Sequence, residues 1–111
     1  MYTYYHNPRC SKSRQGLALL EEKGVELNIK EYLKVGLSLK EAKELIALLE
    51  TPPIRTKEAL YKELALKGKD IKANKWAEIL SANPSLLERP ILVTDKRAII
   101  GRPPEDLLTI I

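Results

Sequence analysis

The chain holds one cysteine and one histidine in 111 residues. A lone thiol excludes an intramolecular disulfide, and no cluster of Cys and His has the spacing of a zinc site, so no metal is expected. Any thiol–disulfide chemistry must therefore borrow a thiol from outside. Long apolar runs are missing as well: nothing approaches the roughly 20 residues that span a bilayer. The N-terminus lacks the basic start, apolar run and small-residue cleavage site of a secretory signal, which leaves the cytoplasm as the expected compartment and no membrane partner. Aromatic residues are only 5% of the chain and the basic residues are dispersed, without a readout motif, which argues against nucleic acid. Repeats, low-complexity tracts and linkers are also absent, so a single domain over residues 1–111 is expected.

What is present suffices for a folded core: 44% of residues are hydrophobic and 31% charged, which is not a disordered composition. Nineteen basic against fifteen acidic residues give a net charge of +4. That surplus favours anionic partners without choosing among phosphate, nucleic acid and small oxyanions, and taken alone it does no more than keep a protein soluble.

Tyrosines and Thr3 make Met1 to Tyr5 a short strand, stopped by Asn7-Pro8. A helix is predicted from Ser11 to Lys23, with Leu17, Leu19 and Leu20 among good helix formers and Gly24 as its stop. "VELNIKEY", Val25 to Tyr32, alternates apolar and polar residues with period 2, the pattern of a half-buried strand. Strand, helix and strand at this spacing make a βαβ unit with a parallel pair. Ser38 and Glu41 form a capping box ahead of a helical run through Leu49, which Thr51-Pro52-Pro53 ends. Further helices are predicted around Lys57 to Ala65 and Lys75 to Ala82. "ILVT" and "RAII" flank Asp95-Lys96 as an antiparallel hairpin, and Glu105 to Ile110 should close the chain as a short helix. The order suits several α/β arrangements, among them a thioredoxin-like fold with a mixed four-stranded sheet and a helical insertion.

The chemistry concentrates in "YYHNPRCSKSRQ", where Cys10 stands four residues after His6 and four before Arg14. At the N-cap of the Ser11 helix, Cys10 would meet free N–H groups and the positive end of the helix dipole, which favour a thiolate and an anion beside it. Arg14 and Ser13 would lie on the same face and add donors. His6 would either lower the thiol pKa as a cation or hydrogen-bond the loop. The plainer alternatives are a small buried cysteine, a histidine that satisfies its turn, and solvated Lys12 and Arg14. Arg55 follows a rigid Pro-Pro turn, Arg89 precedes Pro90 ahead of a strand, and Arg102 follows the next one. Together they could hold a tetrahedral oxyanion in planar guanidinium forks, although each alone reads as a surface charge. The Arg89-Pro90 bond is a candidate for a cis peptide.

"YHNPRCSKSR" resembles the active-site loop of the glutaredoxin-dependent arsenate reductases, His-Asn-Pro-x-Cys-x-x-Ser-Arg. The resemblance continues in the same order through "RTKEALYKEL", "ERPILVT" and "GRPPE", and so covers essentially the whole chain. It implies a thioredoxin-like fold with a helical insertion and an oxidoreductase that turns arsenate into arsenite. By the same resemblance Cys10 is the nucleophile, His6 and Arg14 flank it in catalysis, Arg55, Arg89 and Arg102 bind the oxyanion, and Pro90 is the cis-proline. Ser13 is assigned to substrate binding with them. No tightly bound cofactor is implied; glutathione is the co-substrate, glutaredoxin the partner that resolves a Cys10–glutathione disulfide, and the chain a monomer. One cysteine is enough for that route, whereas a reductase with an internal cysteine cascade needs more.

Two rivals share these features. Spx-type transcriptional regulators resemble the same fold and bind RNA polymerase, but many carry Cys-x-x-Cys as a redox switch, and Ser13 stands at that second position. A related thiol oxidoreductase with another substrate, such as a glutathione mixed disulfide, would use the same basic pocket.

Overall fold

The structure is a computed structural model that describes residues 2–111; the Met1 end of the first expected strand lies outside the described residues. The chain divides into two compact units, Met1–Val35 with Arg89–Ile111, and Gly36–Glu88 between them.

The first unit is a four-stranded mixed sheet. Strands β1 (Tyr2–Tyr5), β2 (Leu27–Lys30), β3 (Ile91–Val93) and β4 (Ala98–Ile100) lie in the order β2-β1-β3-β4. β1 and β2 are parallel, as the βαβ reading requires, and β1/β3 and β3/β4 are antiparallel. Register decides where the chemistry sits. Tyr5 pairs with Ile91 and Ile91 with Ile100, so the residues after β1, before β3 and after β4 leave the sheet at one end. That end receives the cysteine loop, Arg89 and Arg102.

Both Tyr4 and Tyr5 are buried, which a strand allows only when both its faces are covered. Helix α1 (Ser11–Glu22) runs from the Cys10 N-cap, which has extended φ/ψ. It ends in a Schellman motif: Gly24 has φ +72°, its N–H bonds the Glu21 carbonyl, and the Val25 N–H bonds that of Leu20. Tyr4, Leu20, Leu92, Leu107 and Ile110 form the core cluster, with Leu17, Leu27 and Ile99 packed around it. Two glycines permit this packing. A Cβ at Gly101 would stand 2.7 Å from Leu107 Cγ, and one at Gly16 only 2.5 Å from the Tyr4 hydroxyl oxygen.

Three expectations need correction. The strand predicted to Tyr32 ends at Lys30, and Tyr32–Val35 turns into a short helix, α2. There the Glu31 carbonyl accepts from the N–H groups of Lys34 and Val35, and the Tyr32 ring is fully buried. As part of an edge strand, Ile29 is 45% exposed rather than half-buried. The last helix is 3-10 over Pro104–Ile110. Its buried residues Pro104, Leu107 and Ile110 recur every third position, the period at which 3-10 side chains eclipse.

The second unit is helical. α3 (Leu39–Leu49) starts with the expected capping box, the Ser38 hydroxyl accepting from the Glu41 N–H and the Glu41 carboxylate from the Ser38 N–H. It packs against α5 (Ala73–Ala82), burying Ala42, Leu45, Ala77 and Leu80. α4 (Ala59–Glu63) is shorter than its sequence suggests, with no buried residue to extend it. An isolated bridge joins Ile54 to Leu87, and the Arg55 N–H donates to the Leu86 carbonyl.

Candidate active site

Residues 6–14 fold on themselves before the helix starts. The Cys10 N–H bonds the Asn7 carbonyl, and the Arg9 N–H donates to Asn7 Oδ1, an Asx-type turn that swings the chain back to present Cys10. Cys10 occupies the N-cap without capping, so its sulfur is left for other donors.

Those donors converge. Main-chain N–H groups of Ser13 and Lys12 and the Arg89 side chain hydrogen-bond the sulfur, and Arg102 Nη2 lies 3.8 Å from it. Burial by itself would push the thiol up; the Ser13 N–H, the Arg89 guanidinium and the Lys12 N–H outweigh it and hold Cys10 below its ordinary value. Arg102 Nε also donates to the Arg89 carbonyl at 2.9 Å, locking the two arginines together. Arg89 is buried, and both Arg89-Pro90 and Arg102-Pro103 are cis; the second of these has no counterpart in the sequence reading.

The remaining expected residues take other stations. His6 is buried, and burial, outweighing the nearby Glu31, lowers its pKa, so it is neutral at neutral pH. Of its two roles, the geometry supports the hydrogen-bonding one: Nδ1 is 2.7 Å from Ser13 Oγ. The Ser13 hydroxyl also accepts from the Asn7 N–H and is wholly buried. Its assignment as an oxyanion ligand is therefore corrected: the hydroxyl is engaged inside the loop, and the main chain of Ser13 is what faces the sulfur. Arg14 Nη1 donates to the Pro8 carbonyl, tying helix to loop. Arg55 belongs to the second unit, where Nε lies 3.6 Å from Glu58 Oε2. Tyr4 was not a candidate from the sequence, because in a strand it reads only as a core aromatic; its hydroxyl donates to the Ser13 carbonyl. No cluster of three or more metal-ligating side chains occurs among the described residues, and no helix is long and apolar enough to cross a membrane.

A thiol with depressed pKa carries a direct expectation. The rate of Cys10 alkylation by iodoacetamide, measured against pH, has its midpoint below the ordinary value of about 8.5 and returns to it in denaturant. The linkage has the matching sign: because the folded value is the lower one, stability rises with pH between the folded and unfolded values and is lost as pH falls through the folded one. A midpoint equal in folded and denatured protein would refute the donor arrangement.

This is a thioredoxin-like α/β protein built around one activated cysteine at a helix N-terminus. More narrowly, the chain belongs to the ArsC family, which matches residues 5–110. It is 41% identical over 111 residues to an arsenate reductase of Haemophilus influenzae, covering 96% of each chain. An arsenate reductase of Neisseria meningitidis serogroup A is 38% identical over 107 residues, covering 93% of this chain and 92% of that one. Among solved structures, an arsenate reductase from Vibrio cholerae superposes with a TM-score of 0.92 at 40% identity, over 99% of this chain and 97% of that one.

Proposed function

We propose that this protein reduces arsenate to arsenite, with Cys10 as nucleophile, glutathione as second thiol and glutaredoxin as the agent that restores Cys10. The observation that carries the reading is the convergence of Arg89, Arg102 and two main-chain N–H groups on one sulfur. Cationic forks that stabilise a thiolate also suit the oxyanion it attacks. The arsenate reductases among its relatives support the choice of substrate.

The Cys10 thiolate attacks arsenic(V), forming an S–As bond as one oxygen leaves as water after protonation. A glutathione thiol replaces a second oxygen, again as water. Bonding between the two sulfurs then releases an electron pair to arsenic, which departs as arsenite, trivalent, and leaves a Cys10–glutathione disulfide. A glutaredoxin thiolate attacks the glutathione sulfur of that disulfide and frees Cys10. Two thiols supply the two electrons, so the single cysteine needs one external thiol in the reduction itself.

Arsenate-dependent NADPH consumption, coupled through glutathione reductase, tests this. Turnover is expected with glutathione and glutaredoxin together and is lost when glutathione is omitted. Turnover with a thioredoxin system alone would overturn the proposed reductant, and none with any thiol donor would overturn the substrate.

A further inference from the structure

Beneath Cys10 lies an arrangement that the chemistry above does not use. Tyr4 is fully buried in the sheet, yet its hydroxyl donates to the Ser13 carbonyl at 2.7 Å. It reaches that carbonyl because Gly16 has no side chain: a Cβ there would stand 2.5 Å from the same hydroxyl oxygen. Ser13 is thus held at two points, by its hydroxyl between His6 and the Asn7 N–H and by its carbonyl to Tyr4. Helices fray from their first turn, where N–H groups lack intrahelical acceptors. In α1 the N–H groups of Lys12 and Ser13 are the ones that bond the sulfur.

We propose that Tyr4 is a positioning residue for the Cys10 thiolate: its hydroxyl, admitted by Gly16, anchors the Ser13 carbonyl and keeps the first turn of α1 aimed at the sulfur. The hydroxyl stays protonated as a donor because burial drives its pKa far up, against the Ser13 bond and with the Cys10 charge. The other charges that face the sulfur, Arg89 and Arg102, come from the C-terminal segment and are not altered by a change at Tyr4. This inference rests on Cys10 being the working thiol and is independent of which substrate the thiol attacks.

Tyr4→Phe removes the hydroxyl and keeps the ring, and Cys10 alkylation against pH reads the effect without any arsenate. The expected result is an upward move of the midpoint by about half a pH unit or more, the scale on which one hydrogen bond alters an ionisation. Raising the pH until the thiol is ionised in both proteins should restore the wild-type alkylation rate. A lowered melting temperature with an unmoved midpoint would make Tyr4 a core residue only and overturn the proposal. Should Tyr4→Phe not fold, Tyr4→Leu and Gly16→Ala repeat the measurement with the same expected shift, since one lacks the hydroxyl and the other displaces it. If none of the three folds, the hydroxyl is a requirement of stability and the proposal likewise fails.

Discussion

Cys10→Ser eliminates arsenate turnover, to below about a thousandth of wild type in the coupled NADPH assay, because a serine hydroxyl neither ionises near neutral pH nor forms a disulfide with glutathione. The fold does not share in the loss. Cys10 makes no side-chain capping bond, and serine is a preferred N-cap residue. The melting temperature should therefore hold or rise, and a thermal melt beside the assay separates lost chemistry from lost structure. Residual turnover of a tenth or more would remove Cys10 from the nucleophile's role.

Arg89→Lys gives the second large effect. Arg89 is buried, hydrogen-bonds the Cys10 sulfur through its side chain and lends its carbonyl to Arg102. Lysine keeps the charge and loses the fork, so one donor at most replaces a planar pair, and an ammonium is more strongly hydrated and dislikes such burial. The expected result is a fall in kcat/KM for arsenate of about a hundredfold, the usual scale for losing an oxyanion donor. Part of any fall at neutral pH comes from a raised thiol pKa, so the comparison is made where alkylation shows Cys10 fully ionised in both proteins. Unchanged kinetics under that condition would take Arg89 out of oxyanion binding.

The parts of this molecule that sequence revealed are those governed by neighbours in the chain. The Ser38–Glu41 capping box, the Gly24 stop and the hairpin around Asp95-Lys96 are each complete within a few residues, and each appears in the structure. Cys10 at a helix start belongs to the same class. What sequence hid depends on partners far along the chain. Tyr32 continues an alternating pattern, and only its burial shows that the chain has turned into a helix. Leu107 and Ile110 fit either an α or a 3-10 turn until packing chooses the three-residue period. At Ser13, spacing alone put the side chain near the sulfur, whereas the buried His6 and the Asn7 N–H draw the hydroxyl the other way. Tyr4 and Gly16 carry no local signal for the contact that joins them, because it exists only after α1 packs on β1.

The activated thiol is assembled from opposite ends of the polypeptide: Arg102 bonds a sulfur 92 positions earlier in sequence. A ribosome makes Cys10 first and Arg102 almost last, so an emerging chain carries an ordinary thiol with neither arginine beside it. Its reactivity matures only when β3 and β4 dock on β1. During synthesis, or on unfolding, the cysteine is correspondingly less prone to attack oxidants and stray disulfides. The reactivity of the sulfur is thereby a report on whether the whole sheet has closed.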